Sequence, residues 1–538
     1  MSDSLNTTTT PEPEALTLLY AGDILADARH FVLCAQMAVA NIGDVLTGIA
    51  LCFVVTALLC ALEPRLRHWF VFPVAVCGIL VSLDALPWLR GRRDLFDPIG
   101  IIGALGLHFF FLAPLLHVYW DHWLAYVVPP PDWRPWLGAM ALLNVVGLLM
   151  YRAIITRRMS QARTARPSQV WHIDRPAYFA IGTVLVIVTA LLQAWVYVRS
   201  GGLSGYIEVA GSGPQAFAGM GWLFVISESA PIIGMMLFAV ASDTVALLRR
   251  PVVIGLAVAV FLALLVLFGG LRGSRSNSIW ALFWAAGIVH YRIRSLSRPI
   301  VATGLVTLVA FMYFYGFYKS ASTDAQWAFG SRADRLALEA RTGRTLQVLL
   351  LADLARSDVQ ALELYRLTEA AGDYQLAWGR TYLGDLAVVI PEWLWPSRPE
   401  TKVLEGTNLL YGANAFRPGT FWASNLYGIT GELMLNFGPA AVPLGFVILG
   451  FFVVTLDRAF HRWTPEDARW LVAPVFVILS FLILVSDGDN VVFFLIKSLS
   501  VPAAVVMVST RRIQLARKPD VRLQTGRLLR RANVPALQ

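Results

Sequence analysis

Charge is scarce in this chain. Of its 538 residues only 15% are Asp, Glu, Lys or Arg, against about 25% in soluble domains. With 57% apolar residues, that excludes a disordered chain and argues against a soluble enzyme. Cysteine is nearly absent. Cys34, Cys52, Cys60 and Cys77 lie in or near the first two apolar segments without C-x-x-C spacing, so neither a zinc site nor a disulfide framework is expected. They read as small apolar side chains in helices. Met1 to Glu14 is polar and lacks the basic stretch and short apolar core of a cleaved signal peptide. The first spanning helix is therefore expected to act as an uncleaved signal. The net charge is +9, but no basic segment carries interleaved aromatics, so nucleic acid is not an expected partner. No internal repeat is present.

What the chain has in quantity is apolar runs of spanning length. They fall at 43–62, 69–87, 99–118, 135–151, 177–198, 219–247, 251–270, 277–291, 300–317, 426–456, 470–486 and 490–510. At ~20 residues per crossing, this predicts an all-α polytopic integral membrane protein with about 12 transmembrane helices. Residues 16–41 are apolar but interrupted by Asp23, Asp27 and Arg29, the pattern of an amphipathic helix lying at the interface. The expected organisation is a cytoplasmic N-terminus over 1–42, nine helices over 43–317, an external segment over 318–425, three helices over 426–510 and a basic cytoplasmic tail over 511–538.

Arginine sets the orientation. With both termini in the cytoplasm, the inner connections hold Arg90, Arg92, Arg93, Arg152, Arg157, Arg158, Arg249, Arg250, Arg292 and Arg294, as the positive-inside rule requires. Trp69, Trp88, Trp120, Trp133, Trp463 and Trp470 lie at predicted helix ends, where an aromatic belt belongs. The 318–425 connection is far longer than ordinary loops, which points to function. Leu336, Leu338, Leu346, Leu349 and Leu350 recur at helical spacing, so a folded, mostly helical cap is predicted there.

Polar residues at membrane depth carry the functional signal, because they are costly there and face cavities or partners. Glu228 and Lys497 lie within predicted spans, either as an ion pair or as parts of a site. Glu432 opens the span after the long segment, with Asn436 four residues on and so on the same helix face. As a helix-N-terminal carboxylate it is stabilised in its ionised form by the dipole, which burial opposes. The turn Gly269-Gly270-Leu271-Arg272-Gly273-Ser274-Arg275-Ser276-Asn277 reads either as a hairpin needing glycine backbone angles or as an anion site. In the second case closely spaced N–H groups and a helix N-terminus meet phosphate, and arginines add forked donors. Asp121 and His122 have no third ligand spaced nearby, so no metal is expected.

The arginine-bearing glycine turn, the long segment with Tyr382-Leu383-Gly384-Asp385 and Ile390-Pro391-Glu392-Trp393-Leu394-Trp395-Pro396, and above all Gly431-Glu432-Leu433-Met434-Leu435-Asn436-Phe437-Gly438 together resemble the Wzy-type oligosaccharide repeat-unit (O-antigen) polymerases. The resemblance covers roughly residues 250–460; the first 250 residues match in hydropathy alone. It implies an inverting, GT-C-like membrane glycosyltransferase with no cofactor. The donor would be a glycan on undecaprenyl pyrophosphate, the acceptor a lipid-linked repeat unit, and the setting the outer face of the bacterial cytoplasmic membrane. A polysaccharide chain-length regulator and a flippase are implied partners. A membrane-anchored pyrophosphate leaving group calls for outward arginines, for which Arg272, Arg275 and Arg417 are the candidates. An acceptor hydroxyl calls for a proton acceptor, assigned to Glu432 from among Glu228, Asp385, Glu392 and Glu432. Glu228, Lys497, Asn436 and Asp385 are the supporting residues. The alternatives are an O-antigen ligase or other lipid-linked glycosyltransferase, then a lipid-linked oligosaccharide flippase or transporter.

Cysteine labelling at Ala371 and at Gln161 tests the orientation. An impermeant thiol reagent applied to intact spheroplasts is expected to modify position 371 alone. Modification of position 161 alone overturns the topology.

Overall fold

A computed structural model describes residues 42–162, 169–211, 221–272, 275–369, 374–390, 394–417 and 425–514. The expected interfacial helix at 16–41 lies outside the described residues, as does the tail from 515. The protein is a mostly helical, polytopic membrane protein. Among the described residues ten helices are long and apolar enough to cross a bilayer. In chain order the helices that matter are α1 (Ile42–Leu62), α2 (Val71–Leu89), α3 (Pro98–Trp120), α4 (Arg134–Ala162), α5 (Arg175–Arg199), α6 (Gly221–Ser242), α7 (Pro251–Phe268), α8 (Arg275–Ile288) and α9 (Arg298–Ala321). Four short helices follow: α10 (Arg332–Thr342), α11 (Ser357–Thr368), α12 (Arg380–Ala387) and α13 (Lys402–Tyr411). The chain then forms α14 (Gly428–Phe437), α15 (Val442–Arg462), α16 (Ala473–Val485) and α17 (Gly488–Val508).

Two of the twelve expected spans fall short of spanning length and composition. Helix α16 has 13 residues, about 20 Å of helix against a hydrocarbon core of ~30 Å. It is buried on nearly all sides, which is why it reads as continuous apolar sequence. Helix α8 packs beside it, with Trp284 Nε1 donating to the Leu471 carbonyl at 2.8 Å; it starts at Arg275, and His290 and Arg292 lie in the π-turn Val289–Ile293 that follows it. A third expectation is also corrected. Residues 426–456 are not one helix. Gly438 adopts φ +81° and its N–H returns to the Met434 carbonyl at 2.8 Å, a glycine stop, and Pro439 cannot continue the ladder. Thus α14 ends before the span, which runs Pro439–Arg462.

Polar contacts sort the two ends of the bundle. At one end Arg90 meets Asp44 at 2.5 Å, and Arg92 contacts the same carboxylate. Arg152 holds Asp84 at 2.7 Å, Arg292 holds Asp243 at 2.6 Å and Arg511 holds Asp174 at 2.7 Å. The same end carries the one sheet among the described residues. Strand β1 (Gln169–Ile173) pairs antiparallel with β2 (Thr510–Gln514), from Gln169↔Gln514 to Ile173↔Thr510. At the opposite end Arg65 reaches Asp121 at 2.8 Å, and Arg366 of α11 donates to the Val128 carbonyl at 3.2 Å. The long segment therefore packs on the end away from the arginine-rich connections. Its helices follow local rules. Ser331 and Asp334 form a reciprocal capping box that starts α10, and Gly343 at φ +65° stops it.

Close helix approach depends on small residues where lipid supplies no hydrophobic drive. Helices α4 and α15 meet at Gly147, where an added Cβ would lie 2.1 Å from the Phe446 ring. Gly147→Val is expected to cost about 1–3 kcal/mol by overpacking and to lower the unfolding temperature in detergent. Gly304→Val, at a position with nothing within 4 Å, should leave that temperature unchanged; equal effects would remove the packing argument.

Candidate functional site

Helix α14 presents Glu432 and Asn436 on one buried face, one turn apart. Asn436 Nδ2 donates to the Glu432 carbonyl at 2.8 Å and to Thr381 Oγ1 at 2.7 Å. Thr381 Oγ1 donates in turn to Glu432 Oε1 at 2.9 Å. Gly379 N donates to Asn436 Oδ1 at 2.8 Å. These bonds clamp α12 to α14. The other carboxyl oxygen, Glu432 Oε2, accepts from Gly488 N at 2.7 Å. Asp385, one turn beyond Thr381, comes to the same glycine. A Cβ on Gly488 would stand 2.1 Å from Asp385 Oδ2 and 3.3 Å from Glu432 Oε2. Glycine is what lets the two carboxyl groups meet. Among the described residues no donor outside this pair serves either Asp385 oxygen.

A buried ion pair lies beside them. Lys402 Nζ contacts Asp487 Oδ2 and lies 3.3 Å from Asp489 Oδ1, with Lys402 and Asp487 fully buried. Asp487 Oδ1 accepts from Tyr427 N and Gly428 N, both at 2.8 Å. Glu363 of α11 lies beneath α14, fully buried, against Gly431, where a Cβ would be 2.8 Å from its Oε2. Gln360, one turn away, donates to the Tyr427 carbonyl at 2.7 Å and to Thr430 Oγ1 at 2.9 Å.

This crowding of acids in a dry interior raises their proton affinity. Burial, then the negative charges of Asp487 and Asp385, holds Glu432 well above the ordinary carboxylate range. Burial, then Asp487 and Glu432, does the same to Glu363. Burial pushes Asp385 up to about 7; the hydrogen bond with Glu432 opposes this and Asp489 adds to it. Burial alone would lower Lys402, yet Asp487 and Asp489 hold it above its usual value. Burial raises Asp487 even beside Lys402, but an ammonium and two backbone N–H donors on its oxygens describe an ionised carboxylate. Glu432 is the fifth residue of α14, past the first turn where the dipole acts, so burial rather than the helix end governs it. The arrangement is a carboxyl dyad that gives up one proton near neutrality.

Glu228 and Lys497 form a second cluster. Lys497 Nζ lies 2.8 Å from Glu228 Oε2, with both side chains buried. They line a cavity of about 40 Å³ with Gly269, Ser278, Trp280 and Phe494, so the glycine turn abuts this pair. Helix α6 breaks at Glu228–Ser229 before Pro231, and α17 widens to a π-turn over Leu495–Leu499. The two clusters share α17: Gly488 opens it, and Lys497 lies nine residues on, about 14 Å along the axis. The side chains of Arg272 and Arg275 lie outside the described residues, as do Gly273, Ser274 and Glu392. Arg417 is exposed at the end of the stretch after α13.

The sequence reading missed Glu363, Thr381, Lys402, Asp487 and Asp489. The signal for the last two was there: Asp487-Gly488-Asp489 is a doubly acidic link between two apolar runs, at the end that carries the long segment. Among the described residues no group of three or more His, Cys, Asp or Glu is arranged to hold a metal ion. No family model matches the chain, and neither a curated protein nor a solved structure matches it.

The raised Asp385 affinity has a stability consequence. An unfolded Asp titrates near ~3.9 and this one near 7, so between those values the folded chain holds a proton that the unfolded chain has released. Stability should therefore fall as pH rises from about 4 through 7. Asp385→Asn should unfold at a higher temperature than wild type at pH 8, and the gap should narrow at pH 5. A gap that ignores pH would show that Asp385 is not the titrating group.

Proposed function

We propose that the protein is an inverting membrane glycosyltransferase that polymerises polyprenyl-pyrophosphate-linked oligosaccharide repeat units at the outer face of a bacterial cytoplasmic membrane. The observation that carries this reading is the Glu432–Asp385 dyad. It joins the two strings that bear the family resemblance, Tyr382–Asp385 and Gly431–Gly438, in one water-poor site. The acceptor hydroxyl gives its proton to the dyad as its oxygen attacks the anomeric carbon of the donor. The bond from that carbon to the pyrophosphate oxygen breaks on the opposite face, and the pyrophosphate leaves with the electron pair. Arg272, Arg275 and Arg417 are the proposed pyrophosphate ligands, and Glu228–Lys497 supports the turn that carries the first two. A folded segment over the site excludes water, which would otherwise hydrolyse the donor. The lipid-linked glycan enters from the bilayer, with a chain-length regulator and a flippase as proposed partners.

The test is complementation of a deletion strain, read as the ladder of surface polysaccharide. Deletion should collapse the ladder to single repeat units. A ladder held on the lipid carrier would identify a ligase, and loss of all exported repeat units a flippase. The flippase reading draws on the charge pair at membrane depth.

Glu432→Gln and Asp385→Asn should each lower polymerisation by about 10²–10⁴-fold, the usual worth of a positioned base, with normal expression. In membranes, wild-type transfer should rise with pH through about 7, because the active dyad has lost one proton. Wild-type chain lengths from both variants would exclude the dyad as the base. Arg272→Lys, which keeps charge but loses the guanidinium fork, should also impair transfer. An unchanged ladder from Arg272→Ala, Arg275→Ala and their double would leave the turn as a hairpin.

A further inference from the structure

Helix α12 has two unlike faces. Thr381, Gly384 and Asp385 are buried toward α14 and α17. Leu383 and Leu386 are each 61% exposed and Val389 continues their line, while Trp378 before the helix is 74% exposed and Trp395 beyond it is also exposed. An exposed apolar strip of this kind needs a partner.

The depth of the strip follows from the helices it touches. Helix α17 has 21 residues, about 31 Å of helix, which matches a hydrocarbon core of ~30 Å. Its first residue, Gly488, therefore sits at the hydrocarbon boundary, and Asp385 is packed directly on it. A second helix gives the same level. The span Pro439–Arg462 begins two residues after Phe437, and Phe437 carries the Tyr382 ring stacked at 6.4 Å and the Trp378 ring edge-on at 6.3 Å. Phe437 is itself 40% exposed, and on the span that follows Leu444, Ile448 and Phe451 are exposed as well. Tryptophans flanking the strip suit the boundary layer, where an indole keeps one edge apolar and one edge wet.

We propose that α12 is an interfacial helix. Leu383, Leu386 and Val389 enter the bilayer at the boundary layer, Trp378 and Trp395 lie at headgroup level, and the opposite face of the same helix holds Thr381 and Asp385 against Glu432. The partner is the lipid surface itself. The apolar face fixes how deep the dyad sits, so a substrate reaching that dyad arrives sideways from the membrane at headgroup depth.

Site-directed spin labelling of the full chain in lipid nanodiscs tests this, with Cys34, Cys52, Cys60 and Cys77 replaced by alanine. Labels go on Leu386→Cys, on Leu444→Cys as a lipid-facing reference and on Ala413→Cys as a reference in an exposed turn. Each is relaxed by oxygen, which concentrates in lipid, and by a water-soluble nickel chelate. The label at 386 should favour oxygen over the chelate several-fold relative to the label at 413, and approach the ratio at 444. A ratio equal to that at 413 overturns the proposal by placing the strip in water. Protection from both reagents overturns it differently, by placing the strip under another protein surface. The experiment reads depth alone, so its outcome is independent of whether the protein transfers sugars.

Discussion

Asp487 is the pin of this structure. It takes an ammonium on one oxygen and two backbone N–H groups on the other, and so ties two distant stretches of chain to its own. Tyr427 caps α14 and Gly428 begins it, Lys402 begins α13, and Asp487 immediately precedes the last span. A fully buried charge pair gains little over an apolar pair of the same shape, yet removing one partner costs about 3–5 kcal/mol because the other is left charged in a dry interior. The pair therefore specifies position more than it adds stability. Gly488 is the next residue, and its N–H holds Glu432, so the placement of the dyad follows from the placement of Asp487.

The same choice of charges explains why protons stay on the remaining acids. Lys402 is committed to Asp487 and Asp489. Glu432, Asp385 and Glu363 share the neighbouring interior outside those ion pairs, and each ionisation makes the next harder. Thr381 and Asn436 supply neutral donors that fix orientation without neutralising charge. Rigid geometry is thus combined with a movable proton, a pairing suited to acid–base work.

Much of the bundle was legible because a bilayer imposes length and composition on each crossing. Ten spans agree with apolar runs in the chain, and α16 and α8 departed because a shielded helix need be neither long nor lipid-compatible. The Glu432–Asn436 face was readable from i, i+4 spacing, and Asp385 from the string around it. Lys402 and Glu363 were not readable. Each sits in a segment whose local pattern is an ordinary amphipathic helix, and only the fold brings it beside residues 85 or 68 positions away. Asp487 and Asp489 lie between the apolar runs 470–486 and 490–510, where a short polar link is the ordinary connection and so does not stand out. Glu228 and Lys497, by contrast, were conspicuous, because hydrocarbon makes any charge a signal.

Gly488 carries no side chain, yet it sets how two acids on distant stretches of chain can approach. A lineage descending from this gene that gained even a methyl group there would have to turn the Asp385 carboxyl aside and so part the two acids. Among diverged descendants, then, the residue between two aspartates in a three-residue link separates chains that retain the paired acids from chains that have kept only the outline of the bundle.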